Sequence, residues 1–322
     1  MPIVICRSHA PVFAASLLLL LAACSQEASA PAGAASNSAP TSADLTGTVR
    51  IDGSSTVFPI SEAIAEEFLA TSPGVRVTVG ASGTGGGFSK FMAGEADIND
   101  ASRPVEPEEI EKGKANGIEF LELTVAYDGL SVVVNPANDF VDFLTVAELK
   151  AIWEPGSTVD SWNDVRPEWP DQPLRLYGAG TDSGTFDYFT EVINGEGGAS
   201  RPDYTSSEDD NILVQGVAGD EGALGFFGFA YYEASASQLR LVPIDGGSGP
   251  LAPSVSTIND GSYSPLSRPL FIYVSKSSAA RPEVRAFIDF YLDTAPIIAP
   301  DVGYVALPAE LYEAGKTAFA NF

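Results

Sequence analysis

An α/β protein of two hinged lobes is the fold class this chain predicts, on three observations. Strand-like and helix-like segments alternate from Gly47 onward, the signature of sheets flanked by helices. Three runs of small residues, Gly53-Ser54-Ser55-Thr56, Ser82-Gly83-Thr84-Gly85-Gly86-Gly87 and Thr181-Asp182-Ser183-Gly184-Thr185, each lie between a strand-like segment and a helix-like one. After a Gly/Ser/Pro-rich stretch over 245–268, the pattern of the first unit resumes. The chain therefore crosses twice between two units, and two crossings make a hinge.

The N-terminus carries one positive charge, Arg7, then an apolar stretch from Pro11 to Leu21, then Leu21-Ala22-Ala23-Cys24. The stretch is too short to span a membrane and ends at small residues. It predicts a lipoprotein signal peptide over 1–23, cleaved before Cys24, whose thiol is acylated; an ordinary signal peptide or a buried helix is the alternative. Residues 24–46 are small and polar, cannot bury a core, and read as a flexible tether. The first lobe is expected over 47–128 plus 269–322 and the second over 129–268.

In the first lobe the pattern predicts strand 48–52, helix 59–70, strand 75–79, helix 87–93, strand 96–99, helix 106–115 and strand 118–125. Pro59 suits a first helical turn, and Ile60, Ala63, Ile64 and Phe68 share one face. The second lobe starts with the run Gly129-Leu130-Ser131-Val132-Val133-Val134, read as a separate buried strand. Thr145-Val146-Ala147-Glu148 has capping-box spacing and starts a helix to Trp153. Strand 174–178, helix 184–193 and segments 223–227 and 239–242 follow. Strand 269–274 and helices 281–292 and 308–319 return to the first lobe.

Composition excludes whole classes of function. Removal of 1–23 takes away Cys6 and His9, the single histidine, so the mature chain has no imidazole and one thiol. Ser-His-Asp and Cys-His triads, His-ligated zinc and thiolate metal sites lack their residues. No disulfide can close within the mature chain, and about 300 residues must supply stability from core burial. The formal charge is −26, from 17 basic and 43 acidic residues, and loss of Arg7 deepens it. Nucleic acid would be repelled. A small buried anion is still allowed, because fixed dipoles act at short range while distant carboxylates are screened over about 8 to 10 Å.

The three small-residue loops carry the chemistry. A helix start leaves backbone N–H groups unpaired and bears partial positive charge, so a strand-to-helix loop can wrap an oxyanion in amide and hydroxyl donors. One such loop is ordinary turn chemistry; three converging on one cleft would enclose a tetrahedral anion.

Asp52-Gly-Ser-Ser-Thr-Val-Phe-Pro59, Ser82-Gly-Thr-Gly-Gly-Gly87, Asp97-Ile-Asn-Asp-Ala-Ser-Arg-Pro104 and Gly180-Thr-Asp-Ser-Gly-Thr-Phe186 occur in this order and spacing. With these motifs the chain resembles, over 47–322, the periplasmic phosphate-binding proteins of ABC transporters, the PstS family. The resemblance implies a type II periplasmic-binding-protein fold, a two-lobed Venus flytrap in which each lobe is a mixed sheet flanked by helices. It also implies a monomeric receptor in the periplasm or another extracytoplasmic space. Such a receptor closes on dehydrated phosphate and presents it to an inner-membrane permease, with no cofactor, metal or catalysis.

Carried over by residue, the first loop offers Ser55 and Thr56 with the amides near Val57 and Phe58. The second offers Ser82 and Gly83, the third motif Ser102 and Arg103, and the opposite lobe Ser183, Gly184 and Thr185. A helix cap is the competing role of each hydroxyl, with direct contact favoured for Ser82 and Ser183. The family's charged pair is displaced, since Ser102 and Ala179 stand where many relatives carry Asp and Arg. Arg103 is the substitute cation, with a surface salt bridge to Glu106 or Glu108 as its competing role. Asp128, Asp182 and Asp100 are candidates to accept the phosphate proton, with Asp128 favoured by position; its rival role is to pin Arg103 or a turn. Receptors for sulfate, molybdate or tungstate, a secreted phosphatase, and a surface sensor or adhesin are the alternatives.

Overall fold

Val49 and Ile51 point inward at alternate positions of the opening strand, and Ile60, Ile64 and Phe68 repeat at helical spacing after it, so strand and helix face one core. The structure is a computed structural model and describes residues 45–322 apart from 182 and 208. The expected signal peptide, Cys24, most of the tether and Asp182 lie outside the described residues.

The first elements are β1 (Gly47–Gly53), α1 (Phe58–Thr71), β2 (Val75–Gly80), α2 (Thr84–Met92), β3 (Ile98–Ala101) and α3 (Pro107–Ala115). Then come β4 (Phe120–Val134), β5 (Leu144–Thr145), α4 (Val146–Trp153), α5 (Trp162–Val165), β6 (Arg175–Ala179) and α6 (Gly184–Asn194). They are followed by β7 (Thr205–Ser207), α7 (Asp210–Gly219), β8 (Ala223–Gly228), α8 (Phe229–Ala234) and β9 (Arg240–Leu241). The stretch expected to be irregular holds β10 (Ile244–Asp245), β11 (Pro250–Leu251) and α9 (Val255–Asn259). The chain closes with β12 (Ser267–Ser275), α10 (Lys276–Ala279), α11 (Pro282–Asp301) and α12 (Ala309–Ala320).

The fold is the two-lobed α/β architecture expected. One mixed sheet runs β2-β1-β3-β12-β4-β8-β6-β7 with β9 also on β4, and β11-β10-β5 form a small second sheet. Around β1, β3, β12, α1 and α11 lies a core containing Phe68, Phe287 and Tyr291. A second core contains Trp153, whose ring meets Phe189, Tyr204 and Phe226 edge-on at centroid distances of 5.6, 5.3 and 4.9 Å.

Helix α2 begins at Thr84 rather than 87, helices such as α7 and α8 are additional to the sequence reading, and two elements differ from it in extent. The strands expected at 118–125 and 129–134 are one strand, β4. Its first part pairs antiparallel with β12 from Phe120 to Gly129, and its last five residues pair with β8. Asp128 and Gly129 look like a break in sequence, but β12 lies alongside and its hydrogen bonds carry the strand through. Helix α11 continues past Leu292 through Pro296 and Pro300, because Ala295 and Ala299 are fully buried against the first core. Beyond it, Tyr127 and Val305 exchange both backbone hydrogen bonds, 2.8 and 2.9 Å, tying the segment between α11 and α12 to the midpoint of β4.

Glycines let α2 lie close on β1. A Cβ on Gly87 would stand 2.1 Å from Asn99 Oδ1 and 2.5 Å from the Gly53 Cα, whereas one on Gly85 would meet only Arg103 Nη2 at 3.7 Å. Gly87→Ala is expected to cost about 3 kcal/mol by overpacking against backbone. Gly85→Ala is expected to be neutral or stabilising by up to about 1 kcal/mol through helix propensity. Paired thermal melts check the contrast.

Candidate functional site

The first loop is wound by its own backbone. Gly53 ends β1 at φ +147°, where a Cβ would fall 2.1 Å from the Asp100 carbonyl oxygen. The Ser54 amide then donates to that carbonyl at 2.9 Å, Ser54 Oγ accepts from the Thr56 amide at 3.2 Å, and the Phe58 amide returns to Ser54 O at 3.0 Å. These bonds turn the chain into α1, whose N-cap, Val57, supplies no side-chain cap and whose first turn holds no acid. Among the described residues the Ser55 and Val57 amides donate to no acceptor. The result is an uncapped helix start with spare donors.

The second loop is placed differently from expectation. Ser82 Oγ donates to the Asp52 carboxylate, which also takes the Lys90 ammonium, so this hydroxyl is engaged rather than free for a ligand. Partial burial opposes ionisation of Asp52, but Lys90 and Ser82 outweigh it and hold the carboxyl below the usual range. Gly83, at φ +77°, and Thr84 face the cleft instead. Thr84 Oγ1 accepts from the Ser102 amide at 3.2 Å and lies 3.1 Å from Ser102 Oγ, joining the second loop to the third motif.

Arg103 lines the same cleft, but its fork is bound to Glu109 at 3.0 and 2.9 Å, and its Nε lies 3.3 Å from Glu106. The partners are Glu106 and Glu109 rather than Glu108. Glu109 is the third residue of α3 and folds back to cap Glu106, which aims its carboxylate at the preceding loop.

The cation reaching the centre of the cleft is Arg268, which the sequence reading did not select. It stands directly opposite Asp128 in the β12–β4 register. Its Nε lies 3.4 Å from Asp128 Oδ2, its Nη2 donates to Thr56 Oγ1 at 3.0 Å, and its Nη1 is 3.9 Å from Glu191. The guanidinium covers the Tyr188 ring at 3.7 Å from the centroid, and the Tyr188 hydroxyl is anchored on Pro265 O at 2.5 Å. Asp128 therefore pairs with Arg268 and not with Arg103. Burial pushes the Asp128 carboxyl upward, and the Arg268 charge offsets only part of that rise.

The third loop crosses from the other lobe. Ser183 caps α6 by accepting from the Thr185 amide at 3.2 Å. Gly184 lies against the first loop so closely that a Cβ would be 2.5 Å from Thr56 Oγ1 and 2.7 Å from its Cα. Two cavities border this contact and share Ser55. A 710 Å³ cavity is lined by Ser54, Ser55, Thr56, Gly83, Thr84, Ser102, Arg103, Tyr188 and Arg268, among others. A 430 Å³ cavity is lined by Ser55, Ser183, Gly184 and Thr185 with Tyr231 and Tyr304. The starts of α1 and α6 thus meet at Thr56 and Gly184, while the start of α2 lines only the larger cavity, which it shares with the first loop.

No sequence motif marks Arg268. It closes a Gly/Ser/Pro-rich segment, and only the strand pattern after it, combined with a register that sequence does not carry, places it opposite Asp128. Arg268→Met leaves a buried carboxylate unpaired and is expected to destabilise by about 3 kcal/mol near pH 8. The raised folded-state value means that Asp128 takes up a proton as pH falls, so the deficit should shrink toward pH 4; urea denaturation at both pH values measures it.

Residues 38–295 match the family model of the PBP superfamily domain. Protein SphX of Synechocystis is 51% identical over 285 residues, covering 88% of this chain and 85% of that protein. The phosphate-binding protein PstS of Staphylococcus saprophyticus is 40% identical over 268 residues, covering 83% and 82%. The crystal structure of "a possible phosphate binding protein" from Planctomyces limnophilus is 51% identical with a TM-score of 0.83, covering 86% of this chain and 99% of that one. An ABC-type phosphate transport receptor from Vibrio cholerae superposes with a TM-score of 0.63 at 25% identity over 81% of this chain and all of that one. The motifs, the two-lobed fold and these likenesses agree, and the chain belongs to the PBP superfamily, in its PstS-like phosphate-binding family.

Proposed function

We propose that this chain is a lipid-anchored extracytoplasmic receptor that captures inorganic phosphate between its lobes and delivers it to an ABC importer. The observation that carries the reading is the meeting of two helix starts at Thr56 and Gly184, with Arg268 paired to Asp128 beside them. The first lobe comprises 47–128 plus 269–322 and the second 129–268, with β4 and β12 as the hinge strands. The anchor is Cys24, acylated after removal of 1–23, and the receptor works as a monomer. It performs no reaction, since the mature chain lacks the imidazole that most hydrolytic mechanisms on serine or cysteine require.

In this reading the spare Ser55 and Val57 amides, the Thr56 hydroxyl and the Ser183–Thr185 loop surround the oxyanion from both lobes. The donors are fixed before binding, so little reorganisation opposes it. Arg268 supplies the positive charge and spans the cleft to Thr56. Asp128 accepts the proton that phosphate retains near neutral pH. Sulfate has no such proton and meets a buried carboxylate it cannot satisfy, which is the basis of discrimination. Closure then reports occupancy to the permease through the angle between lobes.

Titration calorimetry with phosphate and sulfate tests the reading. Phosphate should bind and sulfate should not; equal affinities, or no phosphate binding, would overturn it. Asp128→Asn is expected to weaken phosphate about tenfold or more while narrowing the phosphate-to-sulfate ratio, as loss of a hydrogen bond to a charged group implies. Gly184→Ala, whose new methyl strikes Thr56 across the cleft, is expected to weaken phosphate by at least about tenfold with little change in melting temperature.

A further inference from the structure

Directly behind the first loop lies a buried acid that the ligand contacts do not use. Asp100 is fully buried at the edge of β3, in register with Gly53, and its carbonyl receives the Ser54 amide. Its Oδ1 accepts from Ser61 Oγ at 3.0 Å in the first turns of α1, and Ser61 Oγ lies 3.1 Å from the Tyr291 hydroxyl of α11. Its Oδ2 and both side-chain polar atoms of the adjacent Asn99 have no partner.

We propose that Asp100 is a positioning residue of the anion site, holding the Gly53–Thr56 loop and the start of α1 in place as a neutral acid, and that its ionisation weakens anion binding. The inference rests on the receptor reading above. One residue thus ties the loop to the helix start, through its carbonyl on Ser54 and its carboxyl on Ser61. The groups facing it are Asp52 from β1, Ser61 from α1, Tyr291 from α11 and Asn99 from β3; among the described residues no Lys, Arg or His bonds to it. Burial pushes the carboxyl up to about 8, the Ser61 hydrogen bond pulls against this, and the Asp52 charge adds to it. Asp52 is itself neutralised by Lys90, so no cation is left to balance a second charge there. A carboxylate formed at Asp100 would compete with the bound anion for the positive end of α1 and repel it through the loop.

The test is titration calorimetry with inorganic phosphate from pH 6.5 to 9, on the wild-type chain and on Asp100→Asn, which keeps a neutral group of the same shape. Phosphate titrates identically in both experiments, so the ratio of the two dissociation constants isolates Asp100. That ratio is expected to shift about tenfold against the wild type between pH 7 and pH 9. Ser61→Ala removes the bond that favours the charged form and should move the wild-type decline to higher pH. Superimposed profiles for wild type and Asp100→Asn overturn the inference alone. If Asp100→Asn does not fold, the Ser61→Ala profile decides, and an unmoved midpoint overturns it. Failure of both folded proteins to bind phosphate at every pH overturns the receptor reading and this inference with it.

Discussion

The buried pair of Arg268 and Asp128 is the constraint on which the arrangement of the cleft depends. Burying two charges is expensive, and such a pair is rarely a net source of stability. Here it does something a hydrophobic pair could not. It fixes a guanidinium at the junction of two lobes in a protein whose formal charge is −26. Distant surface carboxylates are screened by solvent, whereas a cation in van der Waals contact with Tyr188 and hydrogen-bonded to Thr56 is screened far less. Because the two residues are cross-strand neighbours on β4 and β12, sheet register sets their meeting before any side chain is chosen.

Around that pair the backbone shapes most of the cleft. Gly53 allows β1 to turn against Asp100, Gly87 allows α2 to rest on β1, and Gly184 allows the opposite lobe to reach Thr56. In each case the missing side chain is what lets a helix start approach. Hydroxyls divide into two kinds. Ser54, Ser82 and Ser183 are spent on local structure: in the first loop, in the Asp52–Lys90 cluster and as the cap of α6. Thr56 touches Arg268 and the opposite loop and is oriented by both.

Much of this was legible in sequence for identifiable reasons. Strand-to-helix alternation and the three small-residue loops express local preferences that survive folding, so α1, α4 and α6 begin within one residue of where the pattern places them. What failed to show was whatever depends on register or on partners distant in the chain. β4 looked broken at Asp128-Gly129 because the support comes from β12, some 140 residues away. α11 looked finished at Leu292 because its proline-bearing end is held by packing. Ser82 looked free because Asp52 and Lys90 are not neighbours in sequence, and Arg268 went unseen because no motif surrounds it.

β4 and β12 run side by side through Asp128 and Arg268, and the backbone tie of Tyr127 to Val305 lies next to them. Neighbouring strands can twist about their common direction but resist being pulled apart or bent edgewise, since that breaks ladder hydrogen bonds. A paired ribbon of this kind is soft in twist and stiff in edgewise bending, so displacement of the parts it joins follows the twist.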